Sequence, residues 1–304
     1  MTYYKLLCGD WSYDGRKHTW SLPTADGPGE WQTSRRGFYL TRDPARWYNP
    51  AFTVYLAEYR GELTDYPRDD NPTVIVVREC RLIRPLTDAE LTELRIFLNG
   101  DHELADGACV ASGGARVKAG GSATVRAYLS AKVTATGSAK VIAADFADVT
   151  AVESVSVDVT GYATVTAADS VTVAASDCAK VTATDFAKVT ATGSAKVTAY
   201  NSATVEATGY AKVMANGSAT VVASESAGVA AVESATVTAF GTASVVAYGS
   251  ATVTAYNSAS VVAYNTTTVT AHHRARVEAY DSAKVTAGGR ASVVRPRVVE
   301  ISTD

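Results

Sequence analysis

Large apolar side chains are scarce in this chain. Of its 304 residues only 6 are Phe and 2 are Met, although 47% are hydrophobic. The apolar share is therefore mostly Ala and Val, which cannot fill a thick globular core but suit a thin, repetitive one. An excess of one charge is also lacking. A formal net charge of −3 and a pI near 5.9 remove the electrostatic basis for a general nucleic-acid binder. Charged residues, at 19%, are too few and too mixed with apolar ones for a disordered chain. The four cysteines, Cys8, Cys80, Cys109 and Cys178, lie 72, 29 and 69 residues apart, without the short spacing of a metal knuckle or redox motif. No run of 18 apolar residues occurs, and the N-terminus lacks the apolar stretch of a leader. The expectation is a reduced, cytoplasmic protein that does not enter a membrane.

Composition divides the chain near residue 105. All four Trp and seven of the eight Pro precede that point, and so does the acidic excess. From about 113 to 296 the chain is an internal repeat. Valine recurs every eight residues from Val117 to Val293, 23 times without an insertion or deletion. Ala stands two residues before each valine, except at Val155, Val171 and Thr267, and two after, except at Val159 and Arg295. Four residues before it stands a turn former such as Gly137, Asp145, Gly193, Asn201 or Asp281.

Each unit reads as one short strand and one tight turn. In Ala-x-Val-x-Ala the three apolar residues face one way and the two x residues the other. Gly, Asn and Asp tolerate positive φ and let the chain reverse. One such strand cannot bury its face alone, so neighbouring coils must supply the core, and strict spacing follows. Valine at every eighth residue with Gly or Asn between gives no helical stripe. The expected fold is mainly β, a β-solenoid of octapeptide repeats.

A coil must close, with either two units (16 residues) or three (24). From Thr236 to Val294 the outward residues alternate with period 16: Thr236/Thr238, Thr252/Thr254 and Thr268/Thr270 in one set, Ser244/Val246 and Ser260/Val262 in the other. Tyr162, Phe186 and Tyr210, spaced by 24, favour three. An Ala-Val-Ala face leaves too little volume for a triangular interior, so two strands per coil is the favoured reading.

The expected division is a head of residues 1–104 with α+β structure ending in a capping helix, a solenoid over 105–296, and a capping strand or tail at 297–304. Thr87-Asp88-Ala89-Glu90 has capping-box spacing, and Leu91, Leu94, Phe97 and Leu98 would form one apolar helix face before Asn99-Gly100. Pro296, Arg297 and Glu300 would make the far edge a poor template for strand pairing. The head reads as strands at Tyr3 to Leu7, Gly37 to Thr41, Phe52 to Tyr59 and Thr73 to Leu82.

The order Tyr4-Lys5, Gly37-Phe38-Tyr39 with Asp43-Pro44, the strand Tyr55 to Tyr59, and Ile83-Arg84-Pro85-Leu86-Thr87 resembles an uncharacterised N-terminal domain of bacterial and phage proteins. In those proteins it often precedes short Ala/Val-rich repeats; the resemblance implies an architecture without a known activity. The Gly37 to Thr41 strand is also similar to one in ADP-ribosyltransferase folds. That likeness implies a first-strand His or Arg, where this chain has Lys5, and a late catalytic Glu, for which Glu62 or Glu79 would stand.

The remaining chemistry reads as structural. His18 and His102 are isolated, and His272-His273 occupies a turn, so neither a metal nor a cofactor site is expected. The four Trp are read as core of a small domain rather than as a ligand groove. Two exposed ladders are the candidate sites. Thr236, Thr238, Thr252, Thr254, Thr268 and Thr270 would form Thr-x-Thr rows of the kind ice-binding solenoids use. Tyr248, Tyr256, Tyr264 and Tyr280 would form an aromatic ladder beside the turns. The expected function is a non-enzymatic structural or interaction scaffold with a protein partner, or self-association through a solenoid face or end as a homodimer. An ADP-ribosyltransferase-like head and an ice-binding solenoid are the alternatives.

Overall fold

A five-residue Ala-x-Val-x-Ala segment buries its apolar side only against copies of itself, and the chain supplies those copies at every second repeat. In the computed structural model, residues 2–9, 11–12, 17–65 and 73–295 are described. They fall into two units, Met1–His102 with Ala108–Ala115, and Glu103–Gly107 with Arg116–Asp304. The second unit is a parallel β-solenoid of 16 residues per turn. Thr124–Ala127, Lys140–Ala143 and so on to Lys284–Ala287 form one sheet; Arg116–Ala119 to Ser292–Val294 form the other. Pairing is in register throughout, Val189 on Val205 on Val221, with no bulge. Two strands per coil is therefore the arrangement, and the 24-residue spacing of Tyr162, Phe186 and Tyr210 falls on alternating edges.

The solenoid interior contains the Ala-Val-Ala triplets of both sheets, with Val125, Val205 and Val253 fully buried. Thr267, which replaces an alanine, is equally buried and donates its hydroxyl to the Tyr264 carbonyl at 2.6 Å. A buried hydroxyl without that acceptor would be destabilising.

Every eighth residue from Leu129 to Gly289 has φ between 52° and 70°. The amide of this left-handed residue lies outside the sheet ladders at the positions that follow. Acidic and amide side chains one coil on accept that amide. Glu153 Oε2 takes it from Gly137 at 2.7 Å, Asp169 Oδ2 from Glu153 at 3.1 Å, and Asp281 Oδ2 from Asn265 at 3.0 Å. The same residue type thus tolerates the backbone and satisfies a donor. Where glycine stands, as at Gly137, an added Cβ would lie 3.0 Å from the Gly121 amide nitrogen.

The first unit is built on five antiparallel strands: β1 (Tyr3–Cys8), β2 (Trp11–Ser12), β3 (Gln32–Thr41), β4 (Thr53–Asp65) and β5 (Val74–Pro85). Pairings run β1–β4–β5–β3 and close through Tyr4 and Thr41, with β2 beside β1. A register shift in β3 between Thr33 and Phe38 requires Gly37, where φ is +78° and a Cβ would meet the Val76 side chain. Tyr3, Leu7, Trp20, Phe38, Leu40 and Val77 belong to its core. Trp20 alone of the four Trp is in that core, so the tryptophans are not its filling as expected. Trp11 is 48% exposed, and Trp31 carries the Arg60 guanidinium 3.8 Å from its ring centroid.

Helices are short: α1 (Pro44–Trp47) and α2 (Asp88–Glu93). The capping box at Thr87 and Glu90 forms as its spacing predicts. The apolar helical face does not extend to Leu98, because Arg95 adopts φ +57° and Ile96–Phe97 become a strand, β6. β6 pairs in parallel with the strand Ala108–Ala111. No helix among the described residues is long and apolar enough to cross a membrane. The expected tail at 297–304, with Pro296, lies outside the described residues.

Both guanidinium nitrogens of Arg84, with the backbone and hydroxyl of Thr87, hold the Glu90 carboxyl down to about 2. A carboxyl lowered on folding contributes stability above its ordinary value of 4.5 that is lost as pH falls toward 2. Carboxyl NMR titration is expected to show a Glu90 midpoint near 2, returning toward 4.5 in Arg84→Gln. Thiol chemistry gives a second expectation. Burial pushes Cys80 up to about 12, with Lys5 opposing, and Cys109 is also buried, whereas Cys8 and Cys178 are exposed. A disulfide reagent at mildly alkaline pH should therefore modify Cys8 and Cys178 in the native protein, and Cys80 and Cys109 only after unfolding.

Candidate functional site

Parallel, in-register coils turn any repeated outward residue into a column with about 4.8 Å between neighbours. On the sheet of the Thr124–Ala127 strand, Thr236, Thr252 and Thr268 are direct partners, and so are Thr238, Thr254 and Thr270. The six threonines named from the sequence thus occupy three adjacent strands of one face. Their first column is exposed and their second partly buried. Beside the turn, Ser234, Ser250 and Thr266 add a third hydroxyl column. These donate to the carbonyls of Gly217, Glu233 and Gly249 at 2.9–3.1 Å. The block of nine side chains contains no charge.

The tyrosines do not form one ladder. Tyr248, Tyr264 and Tyr280 stack at one edge, with ring centroids 4.9 and 4.8 Å apart. Tyr256 stands at the opposite edge between Phe240 at 5.1 Å and His272 at 4.9 Å, within 13° of parallel to both. Sequence reading left Phe240 unnamed and placed His272 in a turn without joining it to a ladder. The period of 16 was the available signal, since 240, 256 and 272 share one class and 248, 264 and 280 the other.

The head holds a cavity of about 440 Å³ between β1, β2, β3 and the segment around His18. Lys5 on β1 lines it; the residue is 1% exposed and donates from Nζ to the Tyr39 carbonyl at 3.0 Å. Its ammonium lies 5.2 Å from the Trp20 ring centroid. Trp20, His18 and Phe38 form an aromatic cluster with centroids 5.0–5.1 Å apart. Trp20 Nε1 and His18 Nε2 are both buried without a hydrogen-bond partner. Sequence reading missed this group because its members are scattered and follow no motif.

Among the described side chains, Glu79 on β5 is not part of the cavity lining around Lys5. The side chain of Glu62 lies outside those described. Comparison with known proteins gives no matching family model, curated protein or solved structure, so the head's resemblances rest on their short motifs alone.

Proposed function

We propose that the chain is a non-enzymatic scaffold. The solenoid serves as a stiff rod whose flat faces present regular columns to a protein partner or to a second copy, and α2 serves as the cap that ends the head. The observation that supports this reading is the unbroken register of both sheets, whose inward residues from Ala115 to Ala283 are buried and, apart from Thr267, all Ala or Val. Close-packed layers of that kind resist bending and local opening.

Spin labels at Thr164 and Ser260, six coils apart on one sheet, test the stiffness in a chain whose Cys8 and Cys178 are replaced by Ser. A single narrow distance distribution centred within a few ångströms of about 29 Å is expected. A broad distribution would remove the rod reading.

A second reading has its own observation, the uncharged hydroxyl lattice around Thr252. Two hydroxyl columns spaced along a strand and repeated every coil can order water on a flat face. Ice-crystal growth in the presence of the protein should show thermal hysteresis that Thr252→Lys abolishes. Absence of hysteresis in the unmodified chain ends this reading and leaves the scaffold untouched.

A further inference from the structure

The solenoid sheet that runs from Arg116–Ala119 to Ser292–Val294 changes character along its length. Its second outward column is threonine from Thr134 to Thr198, then Met214, Ala230, Val246 and Val262. Threonine serves the strand in the earlier coils, so the apolar run answers something outside the coil. We propose that this strip is the interface of a homodimer, in which two copies lie side by side and parallel about a two-fold axis running along the strip. The inference rests on the scaffold reading and names a second copy as the partner.

The relief of the face is self-complementary about such an axis. On one side of the strip the outward residues are small: Gly228, where an added Cβ would meet nothing within 4 Å, then Ser244 and Ser260. On the other side Tyr248, Tyr264 and Tyr280 stack with ring centroids 4.9 and 4.8 Å apart. The Tyr280 hydroxyl donates to Glu278 Oε2 at 3.3 Å, which puts its ring beside the strip's own column. Trough and ridge thus lie two residues, about 7 Å, to either side of the strip. Rotation about the strip lays the ridge of each copy in the trough of the other. The strands Gly228–Ala231, Ser244–Ala247 and Ser260–Ala263 carry no outward charge to oppose that contact. The same rotation sets Tyr280 of one copy over Arg276 of the second, and Tyr200 over Lys196, placements that suit cation–π contact. An axis along the strands instead sets ridge on ridge. Centred on the Gly228 or Ser244 strand, it also brings Lys180 or Lys212 against Arg276. The coils from Lys180 to Arg276, about 4.8 Å each and about 17 Å across, offer roughly 600 Å² per copy. That is the lower end of specific interfaces, so micromolar affinity is expected.

Sedimentation equilibrium of the full chain should show a monomer–dimer equilibrium in the micromolar range. Ser260→Lys should weaken it at least tenfold, and the coil tolerates the change because lysine already stands in that column at Lys196 and Lys212. Tyr264→Ala, which lowers the ridge, should act similarly and serves if Ser260→Lys does not fold. Thr252→Lys, on the opposite sheet, should leave the equilibrium unchanged. A short bis-maleimide tests the axis in a chain whose Cys8 and Cys178 are replaced by Ser. Val246→Cys and Val262→Cys should each cross-link to the same residue of the second copy, because the axis passes along both. Thr254→Cys should not. Self-cross-linking at only one of the two valine positions, or equally at Thr254→Cys, overturns the proposal. So does a chain that stays monomeric to millimolar concentration, or a dimer that neither Ser260→Lys nor Tyr264→Ala weakens. The spin-label distances, read below the dimerisation range, report the stiffness of a single rod, so a stiff rod that stays monomeric removes this inference alone.

Discussion

Deleting Ser194 is expected to unfold the coils around it, whereas deleting residues 196–211 should leave a folded, shorter solenoid. Ser194 is the third residue of a four-residue turn, and its amide donates to the Asp177 carbonyl at 2.7 Å. With one residue fewer, the next strand, Lys196–Ala199, must either turn over or stretch its turn. Turning over places Lys196 and Thr198 inside and exposes Val197 and Ala199. Losing the burial of one valine costs about 1.5–3 kcal/mol, and an unpaired buried lysine costs several more. Stretching the turn instead breaks the left-handed residue at Gly193, together with the bonds from the Ser194 amide to the Asp177 carbonyl and from the Tyr210 amide to the Gly193 carbonyl. Because each coil is held by its neighbours, the damage spreads along the rod. Removing residues 196–211 joins Ala195 to Lys212, which takes the place of Lys196 in the same sheet with the same inward triplet. Circular dichroism melts of the two deletions check the contrast. A Ser194 deletion that melts like the parent chain would falsify the phase argument.

That contrast also marks what could be read from residues alone. A period of eight with three apolar positions is a local statement, and Ala195, Val197 and Ala199 declare their direction without knowledge of neighbours. The number of strands per coil is not local, but the outward residues from Thr236 onward carry it, since Thr-x-Thr and Ser-x-Val can alternate only if faces do. Grouping Tyr256 with Tyr248 and Tyr264 failed for the same reason that coil number succeeded: an eight-residue spacing moves a side chain to the other edge. The acceptor role of Glu153 and Asp169 was not visible, because the amide each satisfies belongs to a residue 16 positions away. In the head, Thr87 and Glu90 act within one turn of chain and were legible. Lys5, His18, Trp20 and Arg36 meet only after β1 and β3 are placed, so no spacing announces the cavity. Leu94 and Leu98 continued an apolar pattern that a single left-handed residue, Arg95, interrupts.

Val205→Asp is expected to be the most damaging point substitution in the solenoid, with Val205→Ala as its measure. Val205 is fully buried and lies between Val189 and Val221 in the ladder. Truncation to alanine removes two methyl groups and costs about 2 kcal/mol, the transfer term plus a small cavity. Aspartate removes the same apolar surface and adds a carboxylate with no cation beside it, since every inward residue of the neighbouring coils is Ala or Val. Proteins meet that penalty by keeping the acid protonated or by opening the structure. Both outcomes carry a pH signature. The variant should melt well below the parent at neutral pH and recover part of the difference toward pH 4, where the buried acid binds its proton. The expected loss near pH 7 is about 5 kcal/mol or more, which places it among the exceptional single substitutions. Val205→Asn, uncharged and of similar size, should fall between the two and show no recovery on acidification. If the aspartate variant instead loses no more than the alanine one at neutral pH, the inward position of residue 205, and with it the dry Ala-Val-Ala layer, is wrong.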